Sequence, residues 1–233
     1  MISLRRTVMS HGWVGLEPWT WDEKTAVLGR PELLPSGIRT QLKVMQNTPS
    51  SFLVTVDGQV FKTADLKWAR MTVARWLSIG WDPKPALMVA RRINSTAAKF
   101  ISNGGGRFLR GTTFYEDFTK TMCTIQISWT RTRHVVASLV DKVGRGLFPT
   151  PLDVLDAGER FLRKEVRLGF RSPQLLEATD KMLKEGVMDE YGREVEGRIT
   201  YEALSRLRGI GSYAASHVGM LLHDFRRIPV DSE

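Results

Sequence analysis

Two glycines flank one apolar residue near the C-terminal end of the sequence, at 209–211 (Gly-Ile-Gly). Glycine lets the backbone turn sharply and approach a ligand closely, because it carries no Cβ. A short amphipathic helix that ends at Leu207 precedes this turn, and a helix rich in small residues begins near Ser212. The first amides of that second helix would be free to bind a phosphate of DNA. An ordinary corner between two core helices is the alternative interpretation of the tripeptide.

The composition favours a polyanionic partner. Lys and Arg total 34 against 25 Asp and Glu, which gives a formal net charge of +9. Nucleic acid is the first candidate for such a charge, although general basicity for solubility would explain it equally well. The single cysteine, Cys123, cannot form an internal disulfide, and no Cys and His cluster has zinc-ligand spacing. Without a secretory signal or an apolar run of about 18 residues, we expect a cytoplasmic protein with no membrane span.

The N-terminal region has the patterns of a small antiparallel β-sheet. Strand-like runs extend over 39–46 and 51–56, and Asp57-Gly58 before QVFK is a typical hairpin signal. Apolar residues then recur at helical spacing from Ala64 to Ile79, which predicts a helix that covers the sheet. Two prolines in WDPKPAL, and later NGGGRFLRG, interrupt the pattern.

The remainder of the sequence is predicted to be helical. Candidate helices extend from Phe114 to Thr124 and from Thr130 to Val143, and two more begin at Thr150-Pro151 and Ser172-Pro173. The sequence therefore predicts an α+β fold. Its first domain, 1–106, contains the sheet, and its second, 107–233, is mainly helical.

A resemblance to a known superfamily rests on three segments. LRGIGSYAA, the helix after it and PVD at 229–231 resemble the hairpin and catalytic aspartate of the helix-hairpin-helix DNA glycosylases. FYEDFTKTMCTIQISWTRTRHVV, from Phe114, and LGFRSPQLLEA, from Leu168, are similar to further segments of these enzymes. Together with the β-rich N-terminal region, they favour the 3-methyladenine glycosylase II and 8-oxoguanine glycosylase types over the endonuclease III type.

The resemblance implies an enzyme that cuts a base from its sugar. A carboxylate beside the anomeric carbon stabilises the oxocarbenium-like transition state and can orient water, and Asp231 is the candidate for this role. Its alternative role is that of an N-cap, since Asp231-Ser232 could begin a helix. The position of the strand-cleaving lysine of bifunctional relatives is Tyr213, and a phenol cannot form a Schiff base. The resemblance thus implies a monofunctional enzyme.

The same resemblance assigns the DNA contacts. Gly209, Ile210, Gly211 and Ser212 would bind the DNA backbone, with Tyr213 and Trp129 in the base pocket. Gln126 and Ile127 lie at the position of the residues that fill the gap left by a flipped nucleotide. Aromatic rings suggest alkylated, cationic bases as substrates. Each residue has a simpler alternative in core or helix packing.

Three arginines are candidate phosphate clamps: Arg131, Arg133 and Arg208. A solvated basic helix face is the alternative for each of them. We expect a monomer that binds double-stranded DNA, with no metal or cofactor beyond a monovalent cation at the hairpin. The cysteines that hold an iron–sulfur cluster in the endonuclease III type follow the aspartate, so the sequence to Glu233 leaves that cluster open. The early end itself suggests a truncated helical domain.

Three functions stay open on the sequence. The first is a repair glycosylase for an alkylated or similarly damaged base. The second is a glycosylase that removes a modified base from foreign DNA, such as that of a phage. The third is a non-catalytic DNA-binding protein that keeps the fold. The role of Glu233, two residues after Asp231, is open as well, since a second carboxylate there could raise the pKa of Asp231 or lie in solvent.

Overall fold

The computed structural model describes residues 1–58 and 61–230 and divides into two compact units, Met1–Thr112 and Thr113–Glu233. The first unit contains a four-stranded antiparallel sheet with helices, and the second is helical. The predicted α+β fold class is confirmed. Within the described residues, no helix is long and apolar enough to cross a lipid bilayer.

The sheet runs in the order β1 to β4, so each strand pairs with its neighbour in sequence. Its strands are β1 (Thr20–Asp22), β2 (Val27–Leu33), β3 (Arg39–Thr48) and β4 (Ser51–Val56). Side chains of β3 alternate, with Leu42 and Val44 buried and Met45 exposed. One face of the sheet therefore packs on the core of the first unit.

The predicted Asp57-Gly58 hairpin stays a prediction, because its second strand begins at residues that the structure does not describe. The strands β3 and β4 before it are joined by a turn at Pro49-Ser50, because Thr48 pairs with Ser51. Gln59 and Val60 lie outside the described residues, and the next residues, 61–62, belong to no strand. The chain has left the sheet by this point to begin a helix, for which Asp65 accepts from the backbone amide of residue 62 at 2.9 Å.

In its described residues the first unit also contains the α-helices α1 (Leu4–Val8), α2 (Thr63–Trp76), α3 (Lys84–Ile93) and α4 (Ser95–Ser102). Helix α2 contacts β4 and buries Ala69, Val73 and Trp76. The indole of Trp76 meets that of Trp19 edge to face, with ring centroids 4.8 Å apart. This helix is the one predicted over 64–79, and it ends three residues earlier.

The second unit, as far as residue 230, is built of α-helices. They are α5 (Phe114–Thr124), α6 (Trp129–Ser138), α7 (Pro151–Lys164), α8 (Arg171–Lys184), α9 (Tyr201–Ser205) and α10 (Ser212–Leu221). A π-helical segment, Leu139–Val143, continues α6. Helix α5 packs against α6, α8 and α10, and every side chain from Phe114 to Cys123 is buried. It is the central helix of this unit, and its Lys120 forms a buried ion pair with Glu116 at 2.7 Å.

Two predicted helix starts have different outcomes. Thr150 caps α7 as predicted, since its hydroxyl accepts from the Asp153 amide and the Asp153 carboxylate accepts from the Thr150 amide. Ser172-Pro173 does not begin α8, whose first residue is Arg171. A proline is tolerated at Pro173 because the first-turn amides of a helix have no carbonyl partner within it.

Candidate functional site

The hairpin between α9 and α10 adopts a tight turn that requires glycine at one position. Gly209 has φ = +83°, in the left-handed region where a side chain is strained. Ile210 is buried, and its amide donates to the carbonyl of Leu207 at 3.1 Å. The buried side chain of Ile210 therefore anchors the hairpin in the core, and the two glycines form its turn.

The first turn of α10 is open for an anion. Gly211 is the N-cap in extended conformation, and in the described parts of the chain no side chain caps this helix. A Cβ built on Gly211 would meet no atom within 4 Å, so a ligand can approach the backbone there. Because the first amides of a helix are unpaired and lie at the positive end of its dipole, this end suits a phosphate.

The turn between α5 and α6 presents both predicted wedge residues. Gln126 is exposed and has φ = +50°, an unusual conformation for a residue with a side chain. Ile127 beside it is half-buried. Ser128 then caps α6, whose first residue is Trp129, a tryptophan with 44% of its surface exposed. The turn thus carries polar and apolar side chains to the surface of the second unit.

A buried arginine forms hydrogen bonds to the backbone of this turn. Arg171, the first residue of α8, is 5% exposed. Its Nε donates to the carbonyl of Ile125 at 2.9 Å, its Nη2 to the same carbonyl, and Nη2 also to the carbonyl of Gln126 at 3.1 Å. Burial lowers the pKa of Arg171, but a guanidinium stays charged in proteins. The left-handed turn at Gln126 is therefore fixed by charged hydrogen bonds.

An exposed aromatic ring lies against this arginine, and the sequence alone did not predict a role for it. The guanidinium of Arg171 lies 4.3 Å from the ring centroid of Phe170, and 48% of Phe170 is exposed. Both belong to the LGFR segment that was matched to the superfamily, where no role was assigned to them. The Gly-aromatic-Arg pattern was the available signal, and only the fold shows that it adjoins the turn at Gln126.

Tyr213 and His217 form a stacked pair on α10. Their ring centroids are 6.0 Å apart with an interplanar angle of 13°, and Nδ1 of His217 lies 3.0 Å from the hydroxyl of Thr121 on α5. Burial lowers the pKa of His217 to about 4, so the imidazole is neutral at physiological pH. Trp129, the other predicted base-pocket residue, makes no ring contact with Tyr213 in the described parts of the chain.

The three candidate clamps differ in their surroundings. Arg131 and Arg133 are exposed on α6. Arg208, beside the hairpin, forms an exposed ion pair with Glu177 at 3.2 Å. Exposed pairs contribute at most about 1 kcal/mol, so a phosphate could replace Glu177 at low cost.

The predicted catalytic residue, Asp231, lies outside the described residues, as do Ser232 and Glu233. The segment before it contains an ion pair of Arg226 with Asp224 at 2.7 Å, and a second pair, of Arg227 with Glu202 at 3.4 Å, joins the segment to α9. A cleft of about 330 Å³ opens between this segment and the start of α9.

The cation predicted at the hairpin stays a proposal. In the residues that the structure describes, no group of three His, Cys, Asp or Glu side chains could hold a metal ion. Besides backbone carbonyls, the side-chain amide of Gln174 lies against Gly209, and oxygen ligands of this kind suit a hard, weakly held cation rather than a transition metal.

Comparison with solved structures identifies the class of fold. The chain has the fold of DNA glycosylases, which confirms the superfamily resemblance at the level of the fold. No protein-family model matches the sequence, and no curated protein does.

Two glycosylases illustrate the likeness. A 3-methyladenine DNA glycosylase from Archaeoglobus fulgidus has 17% identity and a TM-score of 0.68, over 95% of this chain and 76% of that one. The 8-oxoguanine glycosylase/lyase of Clostridium acetobutylicum has 14% identity and a TM-score of 0.69 in its apo form, over 99% and 78%. Its complex with double-stranded DNA has 13% identity and a TM-score of 0.67, over 99% and 77%.

Proposed function

We propose that this chain is a monofunctional DNA glycosylase that releases a damaged base, with alkylated purines as the substrate class, and leaves an abasic site. The observation that carries the proposal is the hairpin of α9 and α10, found within the fold of DNA glycosylases. Its left-handed Gly209 and its N-cap Gly211 leave the first amides of α10 open. An abasic site, rather than a nicked strand, is the proposed product.

DNA binding begins at that hairpin. A phosphate accepts from the α10 amides at Ser212 and Tyr213, and this contact carries no sequence information. Arg131 and Arg133 are exposed and add charge on α6, while Arg208 exchanges Glu177 for a phosphate. Sequence-independent binding suits an enzyme that must find damage in any sequence.

Extrusion of the base follows. Removing a nucleotide from the stack costs a few kcal/mol, less for a damaged or mispaired base. Ile127 fills the gap, next to Gln126, on a turn that Arg171 keeps rigid. A rigid wedge loses little conformational entropy on insertion, so more of the binding energy remains for flipping. The extruded base stacks on Trp129 or Tyr213, and an electron-rich ring favours a cationic, alkylated base.

The bond is then broken by water rather than by an amine. Asp231 stabilises the positive charge that develops on the sugar and orients the attacking water. The first turn of α10 offers the phenol of Tyr213, which cannot form an imine with the sugar, so no covalent intermediate forms. The neutral imidazole of His217 behind Tyr213 adds no positive charge against a cationic base.

Base release from defined duplexes tests the proposal. Purified protein is incubated with duplexes that carry single alkylated purines, 8-oxoguanine, hypoxanthine, uracil or a bulky modified base, and abasic sites are revealed with alkali. We expect release of alkylated purines by the wild type and by the control Asp156→Asn, an exposed aspartate on α7. Asp231→Asn should release none and should still bind the duplex.

Each other outcome contradicts part of the proposal. Binding without release from any duplex indicates a non-catalytic DNA-binding protein. Strand cleavage without alkali indicates a bifunctional enzyme. Release only of a bulky modified base indicates a glycosylase that acts on foreign DNA. Equal activity of Asp231→Asn and the wild type would remove Asp231 from the mechanism.

A further inference from the structure

The helix pair α3–α4 in the first unit carries unpaired positive charge. Residues 84–103 contain no aspartate or glutamate and four cations, which are Lys84, Arg91, Arg92 and Lys99. All four are exposed, and over residues 1–58 and 61–230 no ion pair involves any of them. Some exposed cations elsewhere in this unit have partners, as when Lys43 meets Asp57 at 2.6 Å. Unneutralised charge of one sign in one place is the footprint of an anionic partner.

Two of these cations line a cleft together with hydroxyl and amide side chains that can donate hydrogen bonds. Its volume is about 360 Å³, and it is lined by Arg91, Ser95, Ala98, Lys99, Ser102 and Asn103. Ser95, Lys99 and Ser102 follow each other at the spacing of one helix face, and Ala98 is buried at its base. Guanidinium, ammonium, hydroxyl and amide groups, without a carboxylate among them, match the oxygens of a phosphodiester.

The backbone that carries the cleft is held in place. Asn94 caps α4, since its side chain accepts from the Ala97 amide at 2.9 Å. Arg6 donates from Nη1 to the carbonyls of Phe100 and Asn103, at 3.1 and 3.4 Å, and its guanidinium lies 5.2 Å from the ring centroid of Phe100. These contacts hold the backbone of the two helices, so a ligand need not order that backbone when it binds.

We propose that α3–α4 is a second, sequence-independent contact with the DNA backbone, in addition to the hairpin of α9 and α10. This inference rests on the proposed function in that it takes DNA as the ligand. An acidic protein segment would be the competing occupant, because Val89 and Ile93 are exposed on α3. The cleft favours phosphate over such a segment, because two cations and the donors of Ser95, Ser102 and Asn103 line it and no carboxylate does.

The salt dependence of DNA binding tests this contact. The cleft variant Arg91→Gln/Arg92→Gln/Lys99→Gln is compared with the control variant Lys24→Gln/Lys67→Gln/Arg70→Gln, whose three residues are exposed in the same unit. Both lose three charges, so long-range electrostatics change alike. Affinity for an undamaged duplex of several helical turns is measured by fluorescence anisotropy between about 50 and 200 mM KCl.

We expect the slope of log K against log[KCl] to become shallower by about 2 to 3 for the cleft variant and by less than about 1 for the control. Equal slopes for the two variants, or an unchanged slope for the cleft variant, would overturn the proposal; the second result would leave an acidic protein as the occupant. Circular dichroism and urea unfolding confirm that both variants fold.

Base release, measured in parallel, separates this inference from the proposed function. If the wild type releases bases and the cleft variant has the same salt slope as the control variant, only the second DNA contact is refuted. A cleft variant with a shallower slope, in a protein that releases no base, supports the contact and refutes the glycosylase. A wild type that does not bind DNA refutes both.

Discussion

Nε of Arg171 donates to the carbonyl oxygen of Ile125 at 2.9 Å, across 46 residues of sequence. Arg171 is the first residue of α8, and its guanidinium thereby binds the C-terminal end of α5, where the helix dipole favours a cation. This hydrogen bond stabilises the conformation of the turn that follows, in which Gln126 is exposed.

Replacing Arg171 should therefore loosen the turn and destabilise the protein. Arg171→Met leaves the carbonyls of Ile125 and Gln126 without their charged donor, and we expect a loss of about 2 to 4 kcal/mol in the free energy of unfolding. Urea denaturation measures it. Arg160→Met, at an exposed position on α7, is the matched control and should change stability by less than about 0.5 kcal/mol. Equal effects of the two substitutions would contradict a structural role for Arg171.

The two hairpin glycines should respond differently to alanine. Gly209→Ala puts a Cβ at a backbone with φ = +83° and 2.5 Å from Oε1 of Gln174. The Gln174 side chain can move, but the strained backbone remains, and we expect a loss of about 1 to 2 kcal/mol in the free energy of unfolding. Gly211→Ala meets no atom and should leave stability within about 0.5 kcal/mol.

The hairpin glycines should also be tested for their effect on DNA affinity. Under the proposed function, the Cβ of Gly211→Ala stands where a phosphate approaches the α10 amides, so affinity falls although the fold is intact. A Gly211→Ala variant with wild-type affinity in an anisotropy titration would show that no phosphate binds there.

His217 should make stability depend on pH. Its folded pKa of about 4 lies below the 6.5 of an unperturbed histidine, so the unfolded chain binds the proton more readily. The contribution of the neutral His217 to the free energy of unfolding is complete above pH 6.5 and is lost as the pH falls from 6.5 towards 4. In His217→Gln this part of the pH dependence should disappear. Urea unfolding at several pH values measures it, with His134→Gln, exposed on α6, as the control.

A lysine at position 213 should create a covalent intermediate. Under the proposed mechanism, the amine of Tyr213→Lys attacks the anomeric carbon, the base leaves, and the resulting imine is reduced by borohydride to a stable amine link. We expect a trapped protein–DNA complex on denaturing gels for this variant and none for the wild type. Ser212→Lys, with its amine on the adjacent residue, should trap much less; trapping by the wild type would refute the monofunctional proposal.

Local signals predicted much of the second unit. Helix α5 has its predicted bounds, Phe114–Thr124, since Thr113 caps it and Phe114, Phe118 and Met122 recur at helical spacing. The hairpin was predictable because glycine is required where φ is positive. By contrast, Phe170 and Arg171 gained their place only through a tertiary contact with the turn at Gln126, and no local pattern encodes such a contact.

The first unit was less predictable. Strands β1 and β2 are short or contain Gly29 and Pro31, which weaken a strand pattern, so the pairing of β1 with β2 and of β2 with β3 decides their conformation. Helix α3 was hidden by the prolines at 83 and 85, which were interpreted as breaks. They occupy the N-cap and the first turn, where a missing amide costs nothing.

The single cysteine of the chain has a practical consequence for chemical mapping. Cys123 is buried in α5, and burial raises the pKa of its thiol to about 12, so it is inert to alkylation and disulfide exchange at neutral pH. A cysteine introduced on the surface, for instance Arg92→Cys or Ser212→Cys, would be the one reactive thiol among the described residues. Disulfide trapping to a duplex with a thiol-bearing phosphate could then map the DNA footprint residue by residue in an otherwise native protein.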